Sequence, residues 1–197
     1  MKRKLSCLEK IGVGMICIFI PTFAIYAILN GFETQNESVK SESIPYSISR
    51  EPAPEFDPIT GENMEDVIQD LRIFSASLNH VRDVRESAMK AYDALATHDD
   101  ATVYLTIQDS ILPVLERYYK EVLYMDKLID TKRVRVIYDK IRVGSMGLTL
   151  AIGQVKNSLS QRNEDLLTVA GANVEKSYEK IILAEKELAE LIEKYVR

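Results

Sequence analysis

Reactive and metal-binding side chains are scarce in this chain. Its 197 residues include two cysteines, two histidines, no tryptophan and only eight glycines. Both cysteines, Cys7 and Cys17, fall in the first 20 residues, so whatever folds downstream has no disulfide and rests on its apolar core. His80 and His98 are preceded at three residues by Ser77 and Leu95, which removes the Glu-x-x-His pairs of a di-metal bundle. His-Glu-x-x-His and Cys-x-x-Cys-His are also missing, so zincin and c-type haem chemistry have no foothold. Gly144-Ser145-Met146-Gly147 lacks the Lys-Ser/Thr ending of a phosphate loop. It falls inside a helical stripe, where its glycines permit a bend or a close helix approach. With no nucleophile–base or metal constellation, the expectation is a protein that is not an enzyme and takes no cofactor or metal. Few glycines argue against collagen-like or loop-built architectures. The excess of 30 acidic over 25 basic residues argues against nucleic acid as a partner.

What the chain does have is unevenly distributed. Residues 11–29 (IGVGMICIFIPTFAIYAIL) are uncharged and apolar apart from Thr22. At ~1.5 Å per residue this makes a helix of about 28 Å, close to the ~30 Å hydrocarbon core. Lys2, Arg3, Lys4 and Lys10 precede it against Glu9 alone, while Glu33 and Glu37 follow before Lys40. The flank asymmetry predicts a signal-anchor: residues 1–10 a cytoplasmic basic tail, 11–29 a transmembrane helix, the remainder extracytoplasmic. The rival is a cleaved signal peptide, with Ile11–Ile20 as its apolar region and imperfect cleavage sites near Ala24 or Ala27. Removing the first 30 residues, with four bases and one acid, leaves 21 bases against 29 acids. A surface of that balance is repelled by anionic lipid and nucleic acid.

Residues 30–61 hold Pro45, Pro52, Pro54 and Pro58, five serines in the stretch to Thr60, and no sustained apolar period. This composition predicts a flexible extracytoplasmic linker. Residues 62–197 read as four helices, each with an apolar stripe at alternating three–four spacing. The first stripe runs Met64, Val67, Leu71, Phe74 and onward to Leu95, with Arg85 its sole polar member. The second is expected at Ala101, Tyr104, Gln108, Ile111, Leu115, Tyr118, Val122, Met125 and Ile129. The third spans Val134 to Ser158 and the fourth Leu167 to Tyr195, with Ser177 a polar exception. Asp99 or Asp100, Asp130 or Thr131, and Asn163 supply N-caps. The turns are short, so neighbours run antiparallel. The predicted fold is all-α: an up-down-up-down four-helix bundle behind a transmembrane helix and a disordered linker. A longer multi-chain coiled coil is the alternative.

Counting residues from each turn places Arg85, Gln108, Pro113, Gly147, Gly153, Gly171 and Ser177 within about two turns of one level. An arginine inside a seam needs an acceptor. One reading is a polar pocket, with Arg85, Gln108 and Ser177 receiving an anionic ligand or partner group. The other is a structural network, with Arg85 paired to an acid such as Asp109 or Glu175, or extended along its stem to solvent. The run Glu185-Lys186-Glu187 reads as a solvated face. Taken together, the sequence predicts a membrane-tethered bundle that binds other proteins, with anionic-ligand binding as the alternative.

Overall fold

The computed structural model describes residues 54–196. Those residues are all-helical, with four helices and no strand. The expected transmembrane helix at 11–29 and most of the expected linker lie outside them. Among the described residues, no helix is long and apolar enough to cross a membrane.

Folding begins before the first helix. The Asp57 carboxylate accepts from Ile59 and Thr60 amides at 2.7 and 2.9 Å, and Gly61 turns the chain with φ +71°. A single antiparallel bridge between Phe56 and Asn63 closes this turn. Asp57, near the end of the stretch expected as linker, is buried and pairs with Arg133 of the bundle at 3.7 Å. Helix α1 (Met64–Asp93) opens at Asn63, whose side chain accepts from the Glu65 amide. Its nine expected seam positions are buried, Arg85 included, and so is the tenth, Leu95, in the turn that follows. A 3₁₀ turn, Ala94–Thr97, ends it.

Helix α2 is made of three pieces: Asp100–Thr106, a π turn at Ile107–Ile111, and Leu112–Tyr124. Asp99 caps it, accepting from Ala101 and Thr102 amides. The π turn corrects the expected second stripe. Val103, Ile107, Ile111 and Leu115 point inward, whereas Ala101 and Gln108 are exposed and Tyr104 is half-buried. Four-residue steps overrun an α-helical turn by about 40° each, and a widened turn absorbs the drift. Pro113 supplies the local cause. It has no amide to donate and its ring crowds the carbonyl four residues back, so the Leu112 amide reaches to Ile107 instead.

Helix α3 (Lys132–Gln161) has Thr131 at its N-cap, but the Thr131 side chain makes no capping bond. Asp70 of α1 does the capping from across the bundle. Its Oδ2 accepts from the amides of Asp130 and Thr131 at 2.9 and 2.7 Å, and from the Thr131 hydroxyl at 2.8 Å. Glu62 receives the next two amides, Lys132 and Arg133, at 2.8 and 3.2 Å. These carboxylates offset the positive helix terminus that Lys132 and Arg133 would otherwise worsen. Arg162 ends α3 in the left-handed region at φ 52°. Helix α4 (Glu164–Tyr195) follows, capped by Asn163 through the Leu166 amide.

The helices pack as a bundle around two apolar clusters. One joins the end of α1 (Ala88, Tyr92), the start of α2 (Val103, Ile107), the second half of α3 (Leu148, Val155) and the first half of α4 (Leu167, Val174). The other joins the start of α1 (Val67, Leu71), the end of α2 (Val122) with Met125 in the 3₁₀ turn after it, the start of α3 (Val134, Ile137) and the end of α4 (Leu188, Leu191). Contact between α3 and α4 depends on glycine. A Cβ at Gly144 would stand 2.7 Å from Ile181 Cγ1, and one at Gly147 would stand 2.8 Å from Ser177 Oγ.

Candidate functional site, a charged layer between two apolar clusters

The side chains dividing those clusters are charged. Arg85 is fully buried and forks onto Glu185 of α4, with Nη1 to Oε1 at 2.6 Å and Nη2 to Oε2 at 3.2 Å. Its Nη2 also donates to Glu86 at 2.7 Å. Arg82, one turn earlier on α1, brings Nε to 3.4 Å from Glu185 Oε2, an ion pair without hydrogen-bond alignment. Tyr178 donates its hydroxyl to both Glu86 oxygens at 2.9 and 3.1 Å. The guanidinium lies 5.5 Å from the Tyr178 ring and 5.9 Å from that of Tyr118, and the Tyr118 hydroxyl is bonded to Ser145 Oγ at 3.0 Å. Two arginines and two glutamates balance in charge. The layer is closed.

Electrostatics agree with the geometry. Burial works against the Arg85 charge, but Glu185 foremost, then Tyr118 and Glu86, hold its proton affinity well above the ordinary guanidinium value. Burial raises the Tyr118 and Tyr178 phenols despite the nearby arginine, so both stay neutral, Tyr178 donating to Glu86 and Tyr118 accepting from Ser145 Oγ. Toward the end of α1, burial and then Glu86 push the Asp93 carboxyl up to about 6. The Tyr92 phenol beside it is raised by burial, by Asp93 and by Glu175, and among the described residues its hydroxyl has no hydrogen-bond partner.

The three expected site residues do not converge. Arg85 sits in the layer; Gln108 is exposed, turned out by the π turn, and donates to its neighbour Asp109 at 3.3 Å. Ser177 is half-buried and faces Gly147 of α3, one position before the tyrosine that belongs to the layer. The acid that answers Arg85 is Glu185, rather than Asp109 or Glu175. Glu185 is buried instead of solvated, because it lies four residues after Ile181 and three before Leu188, both core positions. That spacing puts it at the border of the core face, where the neighbouring helix decides between burial and solvent.

Compared with known protein families, curated proteins and solved structures, the chain matches none. Its chemistry is therefore read from its own residues. An open groove of about 840 Å³ lies between the 54–63 turn and α1, lined by residues including Pro54, Met64, Ile68 and Arg72. Arg85, Gln108 and Ser177 are not part of it. Among the described residues, no group of three or more His, Cys, Asp or Glu side chains is placed to hold a metal ion.

Proposed function

We propose that this chain is a membrane-anchored, extracytoplasmic, antiparallel up-down-up-down bundle that acts by binding other proteins, without catalysis. The anchor reading rests on the apolar run at 11–29 and the basic residues before it. The alternating ends that share each apolar cluster support the antiparallel arrangement. The observation that carries the binding reading is the closure of the charged layer. Arg85, the residue best suited to seize an anion, already has both terminal nitrogens on the protein's own carboxylates and no exposure to solvent. Recognition then falls to the outer helix faces.

Crosslinking in intact cells followed by capture from the native membrane tests this reading. A specific crosslinked protein supports it, and a chain that crosslinks to none overturns it. Alkaline washing of the membranes tests the anchor, since release of the chain by the wash points to a cleaved, secreted form. One observation favours an anionic ligand as a second reading: Arg85 Nε lacks an acceptor inside the layer. It predicts thermal stabilisation by a small anion, through binding to the native state alone. A panel of anionic metabolites without effect on the melting temperature removes it.

A further inference from the structure

Among the described residues, nothing covers a second apolar seam on helix α3. Val136, Val143, Met146 and Leu150 are 54, 42, 40 and 60% exposed. With Gly153 they occupy the first and fourth positions of successive heptads, the spacing by which one helix receives the side chains of another. Asp139 stands at one fourth position and is engaged by Arg142 at 3.0 Å. From Val143 to Val155 the helix carries no charge at all.

Packing among the described residues does not account for Gly153. It lies deep inside α3, where glycine weakens a helix, and a Cβ built on it would meet nothing within 4 Å. Gly144 and Gly147 are explained by α4; Gly153 relieves no contact inside this fold. A bare backbone on the seam permits a partner helix to approach closely.

The flanks name the partner's chemistry. The charged residues bordering the seam are Arg135 just before Val136, Lys140 and Arg142 along it, and Lys156 just beyond Gly153, all basic. Their present pairs, Arg135–Asp126, Arg142–Asp139 and Lys140–Glu187, are surface pairs between partly exposed groups that contribute little and exchange readily. A second α3 would set basic flank against basic flank, which disfavours self-pairing through this face. An anionic bilayer is a poor match as well, because the seam holds Asp139 and no aromatic residue.

We propose that the outer seam of α3 docks an amphipathic helix of another protein whose apolar stripe is bordered by acidic residues. This deepens the protein-binding reading and rests on it. The test uses the full-length chain and two designed four-heptad peptides with identical apolar stripes, one with Glu and one with Lys at the bordering positions. The Glu peptide is expected to bind at least about tenfold more tightly than the Lys peptide, with affinity falling as salt rises. Val143→Glu with Leu150→Glu abolishes binding while leaving the melting temperature in place, since both side chains face solvent. Lys140→Glu with Arg142→Glu inverts the preference toward the Lys peptide. Binding of neither peptide, equal binding of both, or indifference to the seam variants overturns the proposal. So does self-association or vesicle binding that the Val143→Glu/Leu150→Glu variant removes. If a partner crosslinks in cells regardless of these seam substitutions, the face is wrong and the binding reading survives. If no partner crosslinks, that reading itself falls.

Discussion

Arg85 and Glu185, exactly 100 residues apart in sequence, meet through two hydrogen bonds in the one charged layer between the apolar clusters. Removing one partner of such a pair strands the other charge in a low-dielectric interior. Arg85→Met should therefore lower unfolding free energy by roughly 3–5 kcal/mol. Combining it with Glu185→Leu should recover only part of that loss, because the stranded carboxylate is gone but the buried Arg82 loses its ion-pair partner. Urea titration of the two single variants and the double variant checks this. A double variant no more stable than either single one contradicts the pair as the dominant interaction.

Asp93 gives the bundle a distinct acid response. Its carboxyl is raised from 3.8 to about 6 by burial first and Glu86 second, so the folded state holds a proton that the unfolded state releases. Its contribution is therefore favourable below pH 3.8, declines as pH rises through 6, and is a penalty above that. Asp93→Asn should raise stability at pH 7.5 relative to the native chain and lose that advantage near pH 4. Melting curves of both chains across this range decide it. Asp57 and Glu62 act in the opposite sense: backbone amides from Thr60 and Ile59, and from Lys132, outweigh burial and lower their carboxyls. Their stabilisation is present above the ordinary carboxylate range and is lost on acidification.

Asp70→Ala removes the acceptor of three hydrogen bonds at the opening of α3 and leaves two of the donors, both on Thr131, buried. A loss of about 2 kcal/mol is expected, at the high end for a helix cap. Amide exchange should accelerate at Asp130 and Thr131 before it does in the middle of α3. Uniform acceleration along α3 would count against a local capping role.

Two glycines of α3 should respond in opposite directions. Gly144→Ala places a methyl 2.7 Å from Ile181 Cγ1 and 3.2 Å from the Ser177 carbonyl oxygen, so it is expected to cost roughly 1–3 kcal/mol. Gly153→Ala meets nothing and should gain roughly 1 kcal/mol from helix propensity. The difference in melting temperature between the two variants is the measurement.

The left-handed Arg162 offers a third backbone test. At φ 52° a Cβ is disfavoured, so Arg162→Gly should stabilise the chain by about 1 kcal/mol or slightly less. Loss of stability instead would show that the arginine side chain contributes more than the strain costs.

The helices were legible where one physical rule governed them. Every expected seam position of α1 and α3 is buried, because uninterrupted α-helix keeps apolar residues at three–four spacing on one face. The reading of α2 failed before Ile111, since periodicity presumes an α-helical turn and Pro113 forces a wider one. Arg85 stood out as a lone polar residue in an apolar stripe. Its partners did not. Arg82, Glu185 and likewise the capping residue Asp70 each sit one position beside a seam residue (Val81, Ala184 and Leu71), where sequence alone allows either solvent or interior. Which one it is depends on the neighbouring helix.

The carboxylates of Glu62 in the entry turn and of Asp70 near the start of α1 both reach the opening of α3. Tension applied at Pro54 does not simply peel α1 away. It is shared at once with the start of α3, the helix with the uncovered seam, through five hydrogen bonds loaded in parallel. The entry turn is in this sense a mechanical coupling: whatever holds or pulls the N-terminal side of the protein acts directly on the helix that faces outward.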